Sequence, residues 1–481
     1  MELVTKKAMK CIQEADVIVY DNLIDISLLN YASLNTELIY AGKEAANHYL
    51  SQGSIIELLM DKAREGKYVV RLKGGDPYLF GRGSEEALAL KEAGISYEIV
   101  SGVTSSIAVP AYAGIPVTDR RFVSSCHIIT AHREDEAGID FENISKLEGT
   151  LVFMMGLAKL HHIVQGLTLH GKASDTPVAV LSDGSRYNRR KCVGTLADIE
   201  EKVKEARLLP PAIIVVGEVV SLSNELDNFL ERYSDKKLFR KKILLTGTRY
   251  ICHKIKAALA DEGCDIDELS IIESVPIESD FYNNIEKYIE SHDYLVFSSA
   301  NGIRVFFEKL KELHNVDLRK LSNIKFAVIG KGSAQTLRNY GYIADFVPSS
   351  FSNKDLAVEL CKQLKGEKLL LLRAREASTE LVEELEANKV EYTDVPLYET
   401  FRDYRRTFDI KRLIKNYDYV VVASSITAHT LCEMVEDKAV LEGRVVSIGP
   451  VTTGTCKRLG VEPLMSAREY SVDGIVRVLL Q

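Results

Sequence analysis

The chain has 481 residues, of which 46% are hydrophobic and 27% are charged, and its formal net charge at pH 7 is −8. This balance is typical of a soluble globular protein, and the length suggests about three domains. The acidic net charge argues against a general nucleic-acid-binding surface. The apolar runs are far shorter than the roughly 20 residues of a membrane span, and the N-terminus lacks a secretory apolar stretch. We therefore expect a cytoplasmic protein that binds neither membranes nor nucleic acid.

The eight cysteines are scattered along the chain, and no two of them form a C-x-x-C pair. A disulfide framework is improbable in a chain of this size without an export signal. No cluster of cysteine and histidine has the spacing of zinc ligands. The sequence therefore predicts free thiols and no metal site.

Short runs rich in Val and Ile alternate with amphipathic stretches throughout the chain. This alternation predicts an α/β fold with mainly parallel sheets. The polar, charge-rich segment 224–242 predicts a helix or linker between two globular units, with the boundary near residue 235. The predicted strands include 16–20, 68–72, 97–100, 150–154, 177–181 and 212–216, and the predicted helices include 54–65 and 84–93.

The second half of the chain contains an internal repeat. DYLVFSSANG begins at Asp293 and DYVVVASSIT begins at Asp418, and a glycine-containing turn follows each of them, at Gly330 and Gly449. Two similar α/β lobes in one chain leave a cleft between them, which is a common place for a ligand.

The motif GGDP directly follows a predicted strand in the first half. Gly74 and Gly75 let the backbone approach a ligand closely, and Asp76 is able to accept hydrogen bonds from a ribose or an ammonium group. Ligands of open α/β sheets lie at the carboxyl ends of the strands. Taken alone, the motif is more often a tight turn with an aspartate N-cap.

Together with ADVIVYD, IYAGKEA, VSGVTSSIAVPAYAGIPVTDR and TLVFMMG, this motif resembles the uroporphyrinogen-III C-methyltransferases, tetrapyrrole methylases that use S-adenosylmethionine. The resemblance covers about residues 1–222 and implies a fold of two α/β subdomains. It also implies a homodimer formed through this half. The implied contacts of the methyl donor are Gly74, Gly75, Asp76, Leu79, Thr104, Ser105, Met155, Gly184 and Ala212.

The resemblance also implies roles for three side chains. Methylation of a reduced pyrrole carbon needs electron density to move towards the methyl sulfonium, and the ring then loses a proton. Asp21 matches the family's acidic residue, and Lys43 matches its basic partner, which can also hold a substrate carboxylate. Arg120 is the expected substrate contact, although Asp119 replaces the family's usual histidine before it. Without the family match, Asp21 reads as a helix N-cap and Lys43 as a surface charge.

The chain departs from the family at its start. The family's first strand and the glycine-rich loop after it have no counterpart before MELVTKKAMKC, so this strand is expected to be missing. Loss of a central strand leaves backbone groups unpaired and apolar surface exposed. A start codon placed too late and a truncated, inactive methyltransferase are both open explanations, and the intact remaining motifs favour the first.

The second unit resembles uroporphyrinogen-III synthase through FSSANGIR, FAVIGKGSA, VPLYET, VVSIGPVTT and the internal repeat. The resemblance implies a two-lobed α/β fold, with one lobe at about 241–270 plus 401–481 and the other at about 275–395. The predicted domains are a methyltransferase at 1–225, a linker at 226–238 and a synthase at 239–481.

The synthase of that family closes the linear tetrapyrrole hydroxymethylbilane while inverting its last ring. The pyrrole itself expels the hydroxyl, so the enzyme mainly folds the substrate and excludes water. Tyr398 is the candidate general acid, and a packing role between the lobes is an equal alternative. Candidate contacts of substrate carboxylates, each more often a simple helix cap when taken alone, are Ser299, Asn301, Ser424, Thr452 and Thr453.

The two resemblances describe consecutive steps. The sequence therefore predicts a bifunctional enzyme that makes uroporphyrinogen III and methylates it twice to precorrin-2, on the branch to sirohaem and cobalamin, without a metal. One alternative is that only the synthase is active and the truncated half is a dimerisation module. Two others are a methylase of diphthine or ribosomal RNA, and a two-lobed solute-binding protein.

Overall fold

The computed structural model describes residues 2–42, 51–131, 138–313, 317–350 and 352–481. They form four β-sheets covered by helices, which confirms the predicted α/β class. In the described ranges, no helix is both long enough and apolar enough to cross a membrane. Strands and helices are numbered along the chain, and the sheets are named I to IV in the order of their first strands.

The N-terminal half contains sheets I and II. Its strands are β1 (Val17–Tyr20), β2 (Glu37–Tyr40), β3 (Val69–Leu72), β4 (Cys126–Thr130), β5 (Thr150–Met154), β6 (Pro177–Ser182), β7 (Arg190–Thr195) and β8 (Ala212–Val216). Its helices are α1 (Lys6–Glu14), α2 (Gln52–Arg64), α3 (Gly83–Glu92), α4 (Ser105–Tyr112), α5 (Phe141–Ile144), α6 (Leu160–Leu169), α7 (Ile199–Glu205), α8 (Ser223–Leu226) and α9 (Phe229–Tyr233).

The C-terminal half contains sheets III and IV. Its strands are β9 (Lys242–Gly247), β10 (Asp265–Ser270), β11 (Ile272–Pro276), β12 (Tyr294–Phe297), β13 (Lys325–Val328), β14 (Leu369–Ala374), β15 (Tyr392–Arg402), β16 (Tyr419–Val422), β17 (Val445–Ser447) and β18 (Met465–Ser466). Its helices are α10 (Arg249–Ala258), α11 (Asp280–Asn283), α12 (Ile285–Ser291), α13 (Ala300–Glu312), α14 (Lys331–Arg338), α15 (Asn353–Cys361), α16 (Glu380–Ala387), α17 (Thr407–Leu413), α18 (Ser425–Met434), α19 (Pro450–Arg458) and α20 (Val472–Leu479).

Sheet I is a parallel sheet of three strands in the order β2-β1-β3. Its central strand β1 is buried along its whole length, as expected for a run of Val, Ile and Tyr between two neighbours. Strand β3 ends the sheet on one side. The segment 97–100 was expected to be a strand, and this prediction is wrong, because a strand exists only where a neighbour pairs with its backbone.

Sheet II has the order β4-β5-β8-β6-β7, and only the β4–β5 pair is parallel. The expectation of mainly parallel sheets is therefore wrong for this sheet. Strands β6 and β7 are joined by the turn 183–189, which is too short for the crossover of a dozen residues that parallel strands need. The segment 224–242, predicted as a helix or linker, contains α9 and most of α8.

Sheet III has the order β10-β9-β16-β17-β18 and is parallel throughout, whereas sheet IV has the order β11-β15-β14-β12-β13 with one antiparallel pair, β11–β15. The internal repeat builds the same local unit in both sheets. After β12, the Ser299 hydroxyl accepts the amide of Gly302 at 3.0 Å and caps α13. After β16, the Ser424 hydroxyl accepts the amide of Thr427 at 3.2 Å and caps α18.

The two halves meet around a buried arginine of the C-terminal half. Arg406 is 1% exposed, and its Nε donates to the carboxylate of Asp409 at 3.2 Å. Its Nη1 donates to the side-chain oxygen of Asn30 at 2.8 Å, and its Nη2 donates to the carbonyl of Ile26 at 3.1 Å. The hydroxyl of Tyr20 donates to Asp409 at 3.2 Å. The guanidinium is thus shared between the halves.

Ile26 and Asn30 belong to a short helical segment of the N-terminal half, Ile26–Tyr31. This segment also covers the outer edge of sheet III. Strand β10 is the edge strand, and its amides at Glu268 and Ser270 donate to Ser27 Oγ at 2.8 Å and to Asn30 Oδ1 at 3.2 Å. The side-chain amide of Asn30 returns a hydrogen bond to the carbonyl of Glu268 at 2.9 Å. Edge strands need such cover, because their unpaired backbone groups otherwise bind other chains.

Replacement of Asp409 by asparagine is expected to lower the free energy of unfolding by about 3–5 kcal/mol, because the buried guanidinium of Arg406 then loses its countercharge. Urea unfolding followed by circular dichroism measures this loss. The matched control is Glu436→Gln, which breaks an exposed ion pair with Lys411, a residue of the helix α17 that also contains Asp409. This control is expected to lower the free energy of unfolding by less than about 0.5 kcal/mol. Equal small losses in both variants would show that the buried pair does not stabilise the protein.

Candidate functional site

A cavity of about 2430 Å³ lies between sheets I and II, at the carboxyl ends of β1, β3, β5 and β6. Parallel strands place ligands at this edge. Residues 95–103 and β3 both line the cavity. Lys43 lies outside the described residues, and the sequence-predicted residues that line the cavity are Asp21, Gly74, Gly75, Leu79, Ser105, Met155, Gly184 and Ala212.

Asp76 holds two loops of this cavity together. One carboxylate oxygen accepts the amide of Tyr78 at 2.9 Å, and the other accepts the amide of Gly102 at 3.1 Å. Gly75 has a φ of 75°, a conformation that favours glycine. A Cβ at Gly102 would lie 2.2 Å from the carbonyl oxygen of Gly75, so only glycine fits there. The GGD turn and the SG turn therefore form one rigid surface.

The other predicted donor contacts surround this surface. Thr104 caps α4 by accepting the amide of Ser106 at 3.4 Å. Met155 is 50% exposed. A Cβ at Gly184 would lie 2.2 Å from Val109 Cγ1, so a larger residue would displace α4.

Four residues that line the cavity have the left-handed backbone conformation that is unusual for residues other than glycine. They are Phe80, Arg82, Met155 and Asp183, with φ values of 54°, 57°, 56° and 50°. Residues in sparsely populated backbone conformations cluster at ligand sites, because the surrounding structure has to hold them there. Sequence patterns do not show this strain.

Asp21 begins a charged network that sequence reasoning missed. Its carboxylate contacts Arg71 Nη2 at 3.1 Å, and Arg71 Nε lies 3.5 Å from Glu86. Lys73 Nζ contacts the same Glu86 oxygen at 3.1 Å. Burial, and then the charge of Arg71, lowers the pKa of Lys73 below its ordinary value. One sequence signal could have revealed this network. Arg71 and Lys73 lie within the apolar run VVRLK, whereas a strand that serves only to pack has no charged residues in such a run.

Arg120 does not line the cavity. It is exposed, beside the ion pair between Arg121 and Asp119, whose closest atoms are 3.0 Å apart. The hydrogen bond from Arg121 lowers the pKa of Asp119. The structure therefore does not bring Arg120 together with Asp21.

In the C-terminal half, Tyr398 lies on β15 and is 6% exposed. Its hydroxyl forms a hydrogen bond of 2.8 Å with Ser299 Oγ, at the start of α13. Burial raises the pKa of Tyr398 above its ordinary value, so the phenol keeps its proton at neutral pH. A protonated hydroxyl held by a second hydroxyl is suited to donate a proton to a leaving group.

Asn301 lies one turn from an arginine that sequence reasoning also missed. Arg304 Nη2 donates to Asn301 Oδ1 at 2.6 Å, and its guanidinium lies 4.2 Å from the ring centre of Tyr250. Tyr250 belongs to α10 beside sheet III, whereas Arg304 belongs to α13 beside sheet IV. A cation–π contact thus joins the two sheets of this half near Tyr398.

The second copy of the repeat places Ser424, Thr452 and Thr453 at equivalent turns. Thr453 Oγ1 lies 2.7 Å from Ser447 Oγ and 2.6 Å from Ser466 Oγ, and Thr452 is 1% exposed. The side chain of Thr452 is buried inside the fold. Ser424 and Thr453 are half-buried, so both are more accessible than Thr452.

Comparison with known proteins finds a different family for each half of the chain. The family "Tetrapyrrole (Corrin/Porphyrin) Methylases" matches residues 1–200, and the family "Uroporphyrinogen-III synthase HemD" matches residues 253–477. The porphyrin biosynthesis protein HemD of Ruminiclostridium josui is 34% identical over 486 residues, which cover 100% of this chain and 95% of that protein.

The chain belongs to the family of fused tetrapyrrole methylases and uroporphyrinogen-III synthases.

Relatives of the methylase part alone are also similar. The uroporphyrinogen-III C-methyltransferase of Methanocaldococcus jannaschii is 49% identical over 223 residues, 46% of this chain and 92% of that enzyme. A crystal structure of uroporphyrin-III C-methyl transferase from Thermus thermophilus, complexed with S-adenyl homocysteine, is 33% identical. It covers 46% of this chain and 94% of that chain, with a TM-score of 0.40. The two halves of the chain are homologous to the C-methyltransferases and to the synthases of tetrapyrrole biosynthesis.

The cavity of the methylase half fits the methyl donor of this SAM-dependent family. S-adenosylmethionine has an apolar adenine ring, ribose hydroxyls and a charged amino acid end. The cavity offers the apolar side chains of Met155, Leu181 and Ala212, and the exposed backbone of Gly74 and Gly75. Backbone groups without side chains suit the polar parts of such a ligand, and apolar side chains suit the ring.

Replacement of Gly102 by alanine is expected to lower the rate of methyl transfer roughly 10²-fold, because the new Cβ collides with the Gly75 carbonyl and moves the GGD turn. A radiolabelled methyl-transfer assay measures the rate, and the synthase rate of the same protein reports its folding. The control is Gly53→Ala in α2, where the nearest atom to the new Cβ among the described residues is Ser51 Oγ at 3.7 Å. Wild-type methyl transfer by the Gly102 variant would contradict this account of the two turns.

Proposed function

We propose that the chain closes hydroxymethylbilane to uroporphyrinogen III and then methylates that product twice to precorrin-2. The observation that carries the proposal is the cavity between sheets I and II, where the GGD turn, Met155 and Asp21 lie together. The buried hydroxyl pair of Tyr398 and Ser299 supports the cyclisation step.

In the methyl-transfer step, S-adenosylmethionine supplies an electrophilic methyl group. The GGD and SG turns orient that donor, and their rigid backbone contact limits its position. The carboxylate of Asp21, held by Arg71, stabilises the positive charge that develops on the pyrrole nitrogen in this proposal. The cations Arg71 and Lys73 give the cavity places for the carboxylates of the tetrapyrrole.

In the cyclisation step, Tyr398 acts as general acid towards the departing hydroxyl, and Ser299 orients the phenol. Ser424 and the start of α18 are suited to hold substrate carboxylates. Fusion keeps the product of this step at high local concentration near the methylase half. We also propose a homodimer formed through the methylase half, for which light scattering would give twice the mass of one chain.

The direct test incubates the full chain with hydroxymethylbilane and S-adenosylmethionine and identifies the products by mass spectrometry. A doubly methylated type III product is expected. If only unmethylated uroporphyrinogen III forms, the synthase alone is active, and the methylase half serves another purpose such as dimerisation. The isomer of spontaneous closure, without methylation, would contradict both activities.

Tyr398→Phe is expected to lower the turnover number of cyclisation by about 10²-fold or more with little change in KM, because it removes the proton donor and keeps the ring. Single-turnover formation of uroporphyrinogen III measures this effect. The matched control is Tyr282→Phe, since Tyr282 is a buried tyrosine of the same half whose hydroxyl has no hydrogen-bond partner among the described residues. If both variants cyclise at the wild-type rate, Tyr398 is a packing residue.

A further inference from the structure

We propose that β10 of the synthase half braces the methyl-transfer cavity by holding both of its walls, and that Asp265 is a positioning residue for the methyl-donor site. The proposal rests on the proposed function, because it takes the cavity between sheets I and II as the place of methyl transfer. It assigns to the synthase half a role in a reaction that the other half carries out.

The first wall is held near one end of β10. The segment Ile26–Tyr31 lies five residues after Asp21, and its side chains Ser27 and Asn30 bind the edge of β10 at Glu268 and Ser270. Ile26 packs into the apolar core beneath sheet III. The loop that carries Asp21 is therefore fixed to the synthase half.

The second wall is held at the other end of the same strand. Asp265 is 8% exposed, and its two carboxylate oxygens accept the backbone amides of Tyr187 at 2.9 Å and Asn188 at 3.2 Å. The hydroxyl of Tyr187 donates to the carbonyl of Ala260 at 3.1 Å. These bonds fix the turn 183–189 of sheet II, which is the turn that contains Gly184.

One more contact links Asp265 to Asp183 in the wall of the cavity. The side-chain amide of Asn188 donates to Asp183 at 3.3 Å. Asp183 has the strained φ of 50°, and both Asp183 and Gly184 line the cavity. Asp265, which itself lines the cavity at this end, thus acts on Asp183 and Gly184 through Asn188.

A β-strand is a suitable brace because its length is fixed. Asp265 and Ser270 are five residues apart, so the two holding points are separated by about 16 Å at about 3.3 Å per residue. Strand β10 pairs along its whole length with β9, which lies inside sheet III. The opening of the cavity is therefore set by a strand that cannot stretch.

The test compares Asp265→Ala with Asp261→Ala in the full chain. Asp261 is an exposed carboxylate four residues earlier, paired with Arg232 at 3.0 Å, so its loss removes the same charge without touching the turn. With no S-adenosylmethionine present, the backbone amides of Tyr187 and Asn188 are expected to exchange hydrogen at least about tenfold faster in Asp265→Ala than in the wild type. Asp261→Ala is expected to leave this exchange unchanged. KM for S-adenosylmethionine and Kd for S-adenosylhomocysteine are expected to rise by about tenfold, with the synthase rate unchanged.

Each outcome decides between the two proposals. If the wild type binds no S-adenosylhomocysteine and transfers no methyl group, the proposed function fails. If the wild type is active and the Asp265 and Asp261 variants behave alike, the brace alone is wrong. If Asp265→Ala also loses the synthase activity, Tyr187→Phe decides, because it removes the hydroxyl that binds Ala260 and keeps the Asp265 carboxylate. A raised KM for the donor then supports the brace, and an unchanged KM overturns it.

Discussion

The buried guanidinium of Arg406 lies at the centre of one of the contacts that join the two halves of the chain. It is 1% exposed, and its hydrogen bonds go to Asp409 in its own half and to Asn30 and Ile26 in the other. A buried charge is tolerated only when it is paired and fully hydrogen-bonded. Separation of the halves would leave this group without its partners Asn30 and Ile26 and would uncover the edge of sheet III, so the halves are held as one unit.

Because of this contact, the fusion does more than keep the two halves close together. Each half contains a candidate site of its own, near the ends of its own strands. The methylase cavity nevertheless has a wall made by the synthase half, including Lys256, Asp267 and Tyr417. A change on the synthase side of the interface is therefore expected to reach the methyl-donor site. Tyr398, the candidate general acid of the synthase half, lies on β15 of sheet IV.

Five of the six strands and both helices that the sequence patterns delimited are present in the structure, because such patterns depend on neighbouring residues. Strands such as β5 and β8 and the glycines of the GGD turn follow from apolar runs and turn residues. The N-caps at Ser299 and Ser424 follow from the internal repeat. Eight of the predicted donor contacts and catalytic residues, which came from the family resemblance, line the cavity, whereas Arg120 lies away from it.

The remaining features depend on pairing across long stretches of chain. Asn30 and Arg406 are 376 residues apart, and no local pattern indicates that they meet. Residues 97–100 have the composition of a strand, but strand formation needs a neighbour that the segment itself does not contain. The network of Arg71, Glu86 and Lys73 was missed for the same reason, because its members come from different elements.

The most direct test of the joined unit is urea unfolding of the full chain, followed by hydrogen exchange and mass spectrometry of peptides from sheets I and III. The buried interface predicts one coincident transition, with the same midpoint for peptides that contain β1 and for peptides that contain β10. Separate midpoints for the two sheets, with the peptide around Ile26 unfolding at low urea while β10 stays protected, would contradict the account.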